Sequence, residues 1–396
     1  MAPADSTPER PYDIVLFGAT GFAGRLTAEY LARHAPAKCR WALAGRNVAK
    51  LEGVRDRLVG IDSSLADLAL LSADATDPAS LRAVAESTRV VITTVGPYVL
   101  YGEPLVAACA RAGTDYVDLT GEPEFVNDMF VRHNAQAVES GARIVHSCGF
   151  DSIPHDLGVY FTVLQLPRNV PLRVSGFVRA SGTISGGTFA SVLTGFSRGR
   201  QNVAAARGRK AIEVLPTDRS SRATLGRPHP DRVNGGWALP LPTIDGQVIA
   251  RSARAVPRYG PDFHYSHYLS VPHLYQGVAG AIGVGALALA AQLPPARRTL
   301  QKRLAPGDGP PADKRARSWF KVTFVGEGGG KRVITRVSGG DPGYDETAKM
   351  LAESALCLAF DELPTLAGQL TPAAAMGDAL LARLQHAGMT FEVVHA

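Results

Sequence analysis

Hydrophobic positions in the first third of the chain alternate between short apolar runs and longer amphipathic segments. Short runs of this kind are typical of buried parallel strands, and the segments between them repeat apolar residues every three or four positions, as helices do. Six such runs begin at Tyr12, Cys39, Leu68, Arg89, Thr114 and Arg143. Strands that alternate with helices predict an α/β domain in which a doubly wound parallel sheet is covered by helices on both faces.

The pattern changes after His146. A polar, glycine-bearing junction spans 147–158, and the segments beyond it mix strands with helices. We interpret them as an alternating strand at 172–180, a hairpin with strands at 319–325 and 332–337, helices at 344–360 and 373–385, and a long loop at 218–242. The sequence thus predicts a first domain at 1–150 and an α+β substrate domain at 151–396, whose helix 373–385 can pack back on the first domain.

A glycine-rich turn follows the first apolar run. Gly18 permits a sharp turn after the strand, Gly21 lets a pyrophosphate approach the backbone, and Gly24 lets the next helix pack closely on the strand. Free N–H groups at the start of that helix, beside Thr20 and Phe22, attract phosphate. The spacing is G-x-x-G-x-x-G instead of G-x-G-x-x-G, but a strand before it and a helix after it predict a Rossmann-type dinucleotide site. A turn that binds nothing would not need three glycines at this spacing.

The ends of the next strands indicate which dinucleotide binds. An acidic residue after the second strand would hold the ribose hydroxyls of NAD, whereas this chain has Arg46, whose planar guanidinium suits a 2′-phosphate. The sequence therefore favours NADP(H) over NAD(H); the alternative is that Arg46 only caps a loop. Asp74, after the third strand, is placed where the adenine edge would lie. Val95 and Gly96, after the fourth strand, are placed beside the nicotinamide.

Composition and charge narrow the class of protein. With 396 residues, 45% of them hydrophobic and 20% charged, the chain fits a folded protein of two domains. The net charge of +6 and the pI near 9.2 are too modest to predict nucleic-acid binding. Basic residues are densest at 198–258, which we interpret as a solvated surface. The alternative is a patch for a phosphopantetheine carrier, a coenzyme A thioester or an anionic lipid surface.

Cysteines and histidines give no indication of a metal site. The four cysteines are widely spaced and form no C-x-x-C pair, which argues against a disulfide framework or a zinc site and for a reducing compartment. Segment 262–273 contains three histidines and an aspartate, but their spacing matches neither a zinc-binding helix nor a zinc finger. We expect no metal there and interpret the segment as an aromatic strand or loop that lines the substrate side.

An uncharged segment at 277–291 raises the question of a membrane. It is shorter than the ~20 residues that span a bilayer, so we interpret it as a buried core helix. Basic residues follow it closely, and the alternative is peripheral membrane contact through 277–303. The polar, proline-rich start of the chain predicts no secretory signal and therefore a cytoplasmic location, with membrane association as the alternative. A homodimer is left open.

Several motifs together resemble one family. They are F-G-A-T-G-F-A-G at 17–24, A-G-R-N at 44–47, V-G-P-Y at 95–98, D-L-T-G-E at 118–122, C-G-F-D-S-I-P-H-D-L-G at 148–158 and G-D-P-G-Y at 340–344. Nearly the whole chain resembles the saccharopine dehydrogenase-like oxidoreductases, in particular their trans-acting enoyl reductase branch. The resemblance implies an NADP-binding Rossmann domain, an α/β substrate domain, and reduction of a carbon–carbon double bond in a polyketide or fatty acyl chain held by a partner synthase.

Enoyl reduction needs a hydride, a group that polarises the thioester carbonyl, and a proton for the α-carbon. Tyr98 or Ser152 could polarise the carbonyl, and Tyr98, Tyr101 or His155 could supply the proton. The alternative role of His155 is a hydrogen bond to backbone at the start of a helix. Nearby junction carboxylates are expected to hold loops instead: Asp118, Glu122 and Asp151.

Two other functions remain open. Chemistry at a carbon–nitrogen bond, as in saccharopine reduction, would need converging arginines for the carboxylates of an amino-acid substrate, and the candidates are Arg179, Arg198 and Arg200. A non-catalytic cofactor-binding protein at a lipid surface would use the apolar segment 277–291. Consumption of NADPH with an enoyl thioester, or reduction of NADP⁺ with saccharopine-type amines, separates these functions.

Overall fold

A computed structural model describes residues 10–181, 197–292 and 309–395 of the chain. Its strands are β1 Tyr12–Phe17, β2 Trp41–Gly45, β3 Ala69–Ser72, β4 Thr88–Thr93, β5 Asp115–Asp118, β6 Arg143–Val145, β7 Leu172–Ser181, β8 Ser220–Thr224, β9 His229–Pro230, β10 Trp237–Pro240, β11 Asp262–Val271, β12 Trp319–Gly328, β13 Lys331–Gly339, β14 Gly368–Leu370 and β15 Thr390–His395. Its α-helices are α1 Phe22–His34, α2 Val48–Val59, α3 Pro78–Ser87, α4 Tyr98–Tyr101, α5 Glu103–Ala112, α6 Pro123–Ser140, α7 Ile153–Leu164, α8 Gly199–Ile212, α9 Asp245–Ala255, α10 Leu274–Gln292, α11 Ala312–Arg315, α12 Asp345–Phe360 and α13 Pro372–His386.

The first sheet is the predicted doubly wound sheet. Its seven strands lie in the order β14-β6-β5-β4-β1-β2-β3, and every pair is parallel. The strand order reverses at β1, so the crevice beyond the carboxyl ends of β1 and β4 is where such folds bind ligands. Ile14, Val15 and Leu16 are fully buried because helices cover both faces of the sheet, which explains the unbroken apolar run in the sequence.

The chain returns to the first sheet near its end. Strand β14 extends that sheet beside β6, and helix α12 packs against α1, β4 and β5. The Tyr30 hydroxyl donates to Glu353 Oε1 at 2.8 Å and so joins α1 to α12. Helix α13, which the sequence placed at 373–385, packs on α12 and α7. The predicted domain boundary at residue 150 therefore does not hold for the end of the chain, because β14 lies beyond it and belongs to the first sheet.

The second sheet is mixed, in the order β15-β13-β12-β7-β11-β10-β9, with β8 paired to β11. Strands β7 and β11 are parallel, whereas β12 is antiparallel to both β7 and β13. The predicted hairpin is confirmed, but its strands continue into the glycine segment. Only Gly329 and Gly330 form the turn, both with positive φ, which glycine adopts without strain.

Residues 218–242, predicted to form a long loop, instead contain β8, β9 and β10, and this prediction was wrong. Most side chains of β8 are exposed, so the strand carries no apolar signal; its backbone pairing with β11 holds it in place. Helix α9 follows soon after and has no counterpart in the sequence interpretation. Of these elements, β8 and α9 line the cavity described below.

Helix α10 is not the buried core helix that the sequence predicted. Where its side chains are described it is exposed, and Tyr275 and Ile282 each have a relative accessibility of 68%. A Cβ added at Gly280, Gly283 or Gly285 would meet no atom within 4 Å. Residues 293–303 of the proposed membrane contact lie outside the described residues. Among the helices of the described ranges, none has the length and apolar character needed to cross a bilayer.

Helix α7 lies between the two sheets and places the candidate site there. It packs against β7, β12 and β13 of the second sheet and against α9 and α13. Its apolar side chains belong to one continuous core that also contains Leu16 of β1 and Phe324 of β12. The first turn of α7 therefore faces the junction between the dinucleotide crevice and the second sheet.

Candidate active site

The turn after β1 has the geometry that a bound pyrophosphate requires. Gly18 has a φ of +91°, and a Cβ at Gly24 would lie 2.2 Å from the Gly18 carbonyl oxygen, so only glycine fits there. Gly21 is the N-cap of α1, and no side chain caps the helix. Its first N–H groups therefore face outward at the positive end of the helix dipole, as phosphate binding needs. These residues fit a dinucleotide.

Thr20 and Phe22, which flank Gly21, already make contacts within the protein. The Phe22 ring packs edge-on against Tyr344, with centroids 4.8 Å apart, so only the backbone of Phe22 can serve the cofactor. The Thr20 carbonyl accepts a bond from Arg25 at 3.4 Å. On the other side, Val95 comes so close to Gly18 that a Cβ there would lie 2.7 Å from Val95 Cγ2. The segment with Val95 and Gly96 thus borders the glycine turn.

Arg46 lies exposed beyond the end of β2, and Asp74 lies beyond the neighbouring β3. Asn47, not Arg46, caps α2 by accepting from the Lys50 N–H at 2.9 Å. Asp74 accepts from the N–H and hydroxyl of Thr76, and these bonds, with the charge of Arg46, lower the pKa of Asp74. Arg46 therefore has no capping role and can meet a 2′-phosphate.

Replacing Arg46 with alanine should raise the Kd of NADPH about 10- to 100-fold, because one charge-assisted bond to phosphate contributes about 1.5–3 kcal/mol. The Kd of NADH should change less than about threefold. Fluorescence titration of both cofactors measures the two effects. Lys50→Ala, which removes a neighbouring exposed cation, is the matched control. Equal losses for NADPH and NADH would refute the assignment of Arg46 to the 2′-phosphate.

The Tyr98 hydroxyl is engaged within the first domain. It donates to the Thr93 carbonyl at 3.1 Å and accepts from the Leu119 N–H at 3.2 Å, while burial raises the pKa of Tyr98 well above its usual value. Glu122 accepts from the Tyr98 N–H at 3.0 Å, and Asp118 accepts from the Ser147 N–H at 2.8 Å. Both carboxylates hold loops, as expected. The structure does not bring the Tyr98 hydroxyl to the other candidate catalytic groups.

His155 lies in the first turn of α7, with a relative accessibility of 2%. Its Nδ1 lies 2.8 Å from Asp245 Oδ1 at the start of α9, an ion-pair contact without hydrogen-bond geometry, and its Nε2 also has no partner among the described residues. His267, on β11, packs edge-on against His155, with ring centroids 5.1 Å apart. The ring of His155 is therefore bound to a carboxylate on one side and available on the other, so the structure disfavours its alternative role as a side chain bonded to backbone.

Asp245 carries the negative charge of this cluster. Burial raises the pKa of Asp245, but the charge of His155, its close contact with the carboxylate and the charge of His267 outweigh burial and lower that pKa. Thr243 also donates to Asp245. Burial lowers the pKa of His267 to about 4, so this imidazole is neutral near pH 7, and its Nδ1 lies 2.7 Å from the Tyr265 hydroxyl. His155, which lies against Asp245, is therefore the candidate proton donor of the two imidazoles.

Ser152 and Asp151 complete the first turn of α7. Ser152 is the N-cap residue, as predicted, but it makes no capping bond, and its fully buried hydroxyl has no partner within the described ranges. Asp151 is exposed to solvent although protein surrounds it at longer range, as expected of a side chain in an open cleft. Desolvation, and then the charge of Asp245, raise the pKa of Asp151 to about 6. Unlike Asp118 and Glu122, Asp151 holds no loop through a hydrogen bond observed here.

The cluster also has the composition of a metal site. Potential ligand atoms of His155, Asp245 and His267 lie within 4.8 Å of one another, an arrangement that the sequence did not indicate. However, two ligands of a tetrahedral zinc ion lie roughly 3.3 Å apart, given bonds of about 2.0–2.1 Å. His155 Nδ1 and Asp245 Oδ1 are only 2.8 Å apart, which is closer than two such ligands and is the contact distance of an ion pair. We therefore interpret the cluster as a proton-transfer site.

Sequence reasoning missed Asp245 and gave His267 no catalytic role. Asp245 lies in no motif, and only the fold places it beside α7. His267 could have been found, because alternation along β11 puts Phe263, Tyr265 and His267 on one buried face. The arginines suggested for an amino-acid substrate do not form a set: Arg198 is paired with Glu124 at 2.6 Å, and Arg200 is exposed.

Comparisons with known proteins agree with the fold and the dinucleotide crevice. Residues 14–145 match the family model for the saccharopine dehydrogenase NADP-binding domain. The whole chain is similar in structure to apo saccharopine dehydrogenase (L-Glu forming) from Saccharomyces cerevisiae, with a TM-score of 0.57 and 12% identity over 97% of this chain and 100% of that one. That likeness shows a shared fold and no more.

Sequence relatives cover the full chain. A trans-acting enoyl reductase of Mycobacterium tuberculosis strain H37Rv is 40% identical over 428 residues, which cover 98% of each chain. A trans-acting enoyl reductase of Mycobacterium ulcerans is 38% identical over 421 residues, which cover 97% of this chain and 98% of the relative. The chain is therefore an NADP-binding oxidoreductase of the saccharopine dehydrogenase-like family, and it belongs with the members named trans-acting enoyl reductases.

Proposed function

We propose that this protein reduces the carbon–carbon double bond of an enoyl thioester, in a polyketide or fatty acyl intermediate presented by a partner synthase. The names of its relatives support the reaction class and the action in trans. One observation of this chain supports it most: a buried histidine lies 2.8 Å from a carboxylate, its second nitrogen is available, and its helix follows the last consecutive strand of the dinucleotide domain and packs on the second sheet.

NADPH, when bound, supplies the hydride for the β-carbon. As negative charge develops on the thioester carbonyl oxygen, the Ser152 hydroxyl donates a hydrogen bond to it. The Nε2–H of protonated His155 then transfers its proton to the α-carbon, and Asp245 stabilises the imidazolium and orients its ring. His267 stays neutral and packs edge-on against the imidazole of His155. The proton is therefore delivered from Nε2 of His155 alone.

In the proposed mechanism, the burial of His155 and Ser152 keeps water away from the reacting atoms. His155 and Ser152 are both buried, and the rings of Phe150 and His267 pack against the His155 ring, with centroid distances of 5.3 and 5.1 Å. A hydrogen bond from Ser152 to a developing charge is stronger in such a low-dielectric site than in water. The unpartnered hydroxyl and imidazole nitrogen would both gain partners when the substrate binds.

The direct test is NADPH consumption with a panel of enoyl-pantetheine thioesters, compared with saturated thioesters as controls. We expect turnover only with the α,β-unsaturated compounds. In the same assay, NADP⁺ is supplied with saccharopine-type amines. Reduction of NADP⁺ by the amines, without turnover of any enoyl thioester, would contradict the proposal. Cofactor binding without either reaction would favour a non-catalytic protein.

A further inference from the structure

A cavity of about 610 Å³ opens from the candidate site. Its walls come from α8, β8, α9 and β11, and His267 and Tyr265 of the proton-transfer cluster form part of its lining. Thr243, which donates to Asp245, also lines it. A ligand in this cavity would thus have one part beside the catalytic cluster and the rest among the helices of the second domain.

Positive charge dominates the lining of this cavity. Arg209, Arg251 and Arg254 converge on it from α8 and α9, and Glu213 is the one carboxylate among the described lining residues. A neighbouring cavity of about 380 Å³ is lined by the same three arginines and by Glu213. The arginines therefore face open volume on two sides. Other basic residues of 198–258, among them Arg207, Arg227 and Arg232, are exposed, as a solvated surface would be.

The carboxylate of Glu213 is shared by two of the arginines. Arg209 donates to Glu213 Oε1 at 2.6 and 3.0 Å, and Arg254 lies 3.6 Å from Glu213 Oε2. Arg251 has no carboxylate within ion-pair distance in the described part of the chain. Its guanidinium donates to the neutral amide of Asn127 at 2.6 Å. One half-buried cation in this lining therefore has no ion-pair partner among the described residues.

The energetic consequence is a site prepared for an anion. Burial, then the charge of Arg209, lower the pKa of Arg251 well below its usual value, which shows how unfavourable its surroundings are for a cation. A cation held partly away from water without a nearby anion is unfavourable. Arginine also suits phosphate because its planar fork can donate two parallel hydrogen bonds. A bound oxyanion would supply the missing negative charge and so offset the unfavourable free energy of holding Arg251 without an anionic partner.

We propose that Arg251, with Arg254 and Arg209, binds the phosphate of a phosphopantetheine-type thioester and so directs its thioester toward His155. The inference rests on the proposed function for the identity of the substrate, but the oxyanion site stands on its own charges. A carboxylate has the same chemistry and is the competing source. An elongated arm fits a cavity that has cations on α8 and α9 and that is lined elsewhere by His267, which packs against His155.

The experiment is calorimetric titration of the full chain, saturated with NADP⁺, with 4′-phosphopantetheine and with pantetheine, which lacks the phosphate. We expect 4′-phosphopantetheine to bind at least about 10-fold more tightly, and Arg251→Gln to abolish the difference. Arg254→Gln, at a side chain that is 29% exposed, should reduce it and is the variant less prone to misfold. Arg232→Gln, at an exposed arginine outside the cavity, should keep it.

Each outcome decides the proposal. Equal binding of the two compounds to the unaltered chain, or a phosphate preference that both Arg251→Gln and Arg254→Gln retain, would overturn it. Tighter binding of glutamate or saccharopine than of 4′-phosphopantetheine would assign the arginines to carboxylates and also overturn it. Because the titration needs no turnover, a phosphate preference without enoyl reduction would uphold this site and count against the proposed function alone.

Discussion

Replacing His155 with glutamine is expected to lower kcat for enoyl-thioester reduction about 100- to 10,000-fold, the usual contribution of a general acid. Glutamine fills a similar volume and keeps a donor toward Asp245 Oδ1, which lies 2.8 Å from Nδ1, but it cannot carry the transferable proton. The Kd of NADPH should stay within about twofold, because the glycine turn lies elsewhere. Steady-state kinetics together with cofactor titration separates the two quantities.

Three controls accompany this variant. His264→Gln changes a histidine on β11, the strand that carries His267. The Nε2 of His264 contacts Thr224 outside the cluster, so this variant should leave kcat nearly unchanged. Tyr98→Phe should also have little effect, because the Tyr98 hydroxyl is already bonded to the Thr93 carbonyl and the Leu119 N–H. Dialysis against a chelator should not alter kcat. If Tyr98→Phe abolishes turnover and His155→Gln does not, the assignment of the proton donor is wrong.

Replacing Gly24 with alanine is expected to raise the Kd of NADPH more than about 100-fold and to lower the free energy of unfolding by about 1–3 kcal/mol, as overpacking does. The new methyl group would lie 2.2 Å from the Gly18 carbonyl oxygen and 2.9 Å from Thr94 Oγ1. Gly18 cannot yield easily, because its N–H donates to the Ala44 carbonyl at 3.0 Å. Helix α1 must therefore shift away from the turn, and its first N–H groups move with it.

Gly53→Ala is the matched control for this change. Gly53 lies within α2, where an added Cβ would meet no atom within 4 Å, so the substitution should stabilise the protein by roughly 0.5–1 kcal/mol and leave the Kd of NADPH unchanged. Denaturant unfolding and cofactor titration measure both variants. Normal NADPH affinity in Gly24→Ala would show that the phosphates bind elsewhere.

The first domain could be predicted from the sequence because its signals are local. An apolar strand, three spaced glycines and a helix are consecutive in the chain, and each residue acts within its own turn. Arg46 likewise follows directly from the end of β2. The same reasoning placed His155 and Ser152 correctly at the start of a helix, since Pro154 and the residues around it define that start.

The partners of His155 could not be predicted, because the interactions that assemble the site are not local. Asp245 is far from His155 in sequence and has no motif; strand β11 and helix α9 must fold before it meets the imidazole. The sequence also gave Tyr98 a catalytic role because its position after β4 suits the nicotinamide. It could not show that two backbone groups already bind the hydroxyl.

Charge and hydropathy did not predict which of these side chains are buried. Residues 198–258 were predicted to form a solvated basic surface, and Arg207, Arg227 and Arg232 are indeed exposed, but Arg209 is 5% exposed and faces a cavity. Conversely, the uncharged helix α10 looked like core and is exposed where it is described. Neither outcome follows from residue type, because arginine is buried when a fold supplies partners, and glycine and alanine bury little area that would hold a helix in the core.

The central claim is tested most directly by tracing the sources of the two hydrogens that are added to the double bond. Reduction of an enoyl thioester with NADPH deuterated at the transferable position should place one deuterium on the β-carbon. Reduction with unlabelled NADPH in D₂O should place one on the α-carbon, and mass spectrometry of the saturated product reads both. A saturated product with no deuterium from the cofactor would contradict the account. Transfer of the label to an imine substrate, with none to the enoyl thioester, would also contradict it.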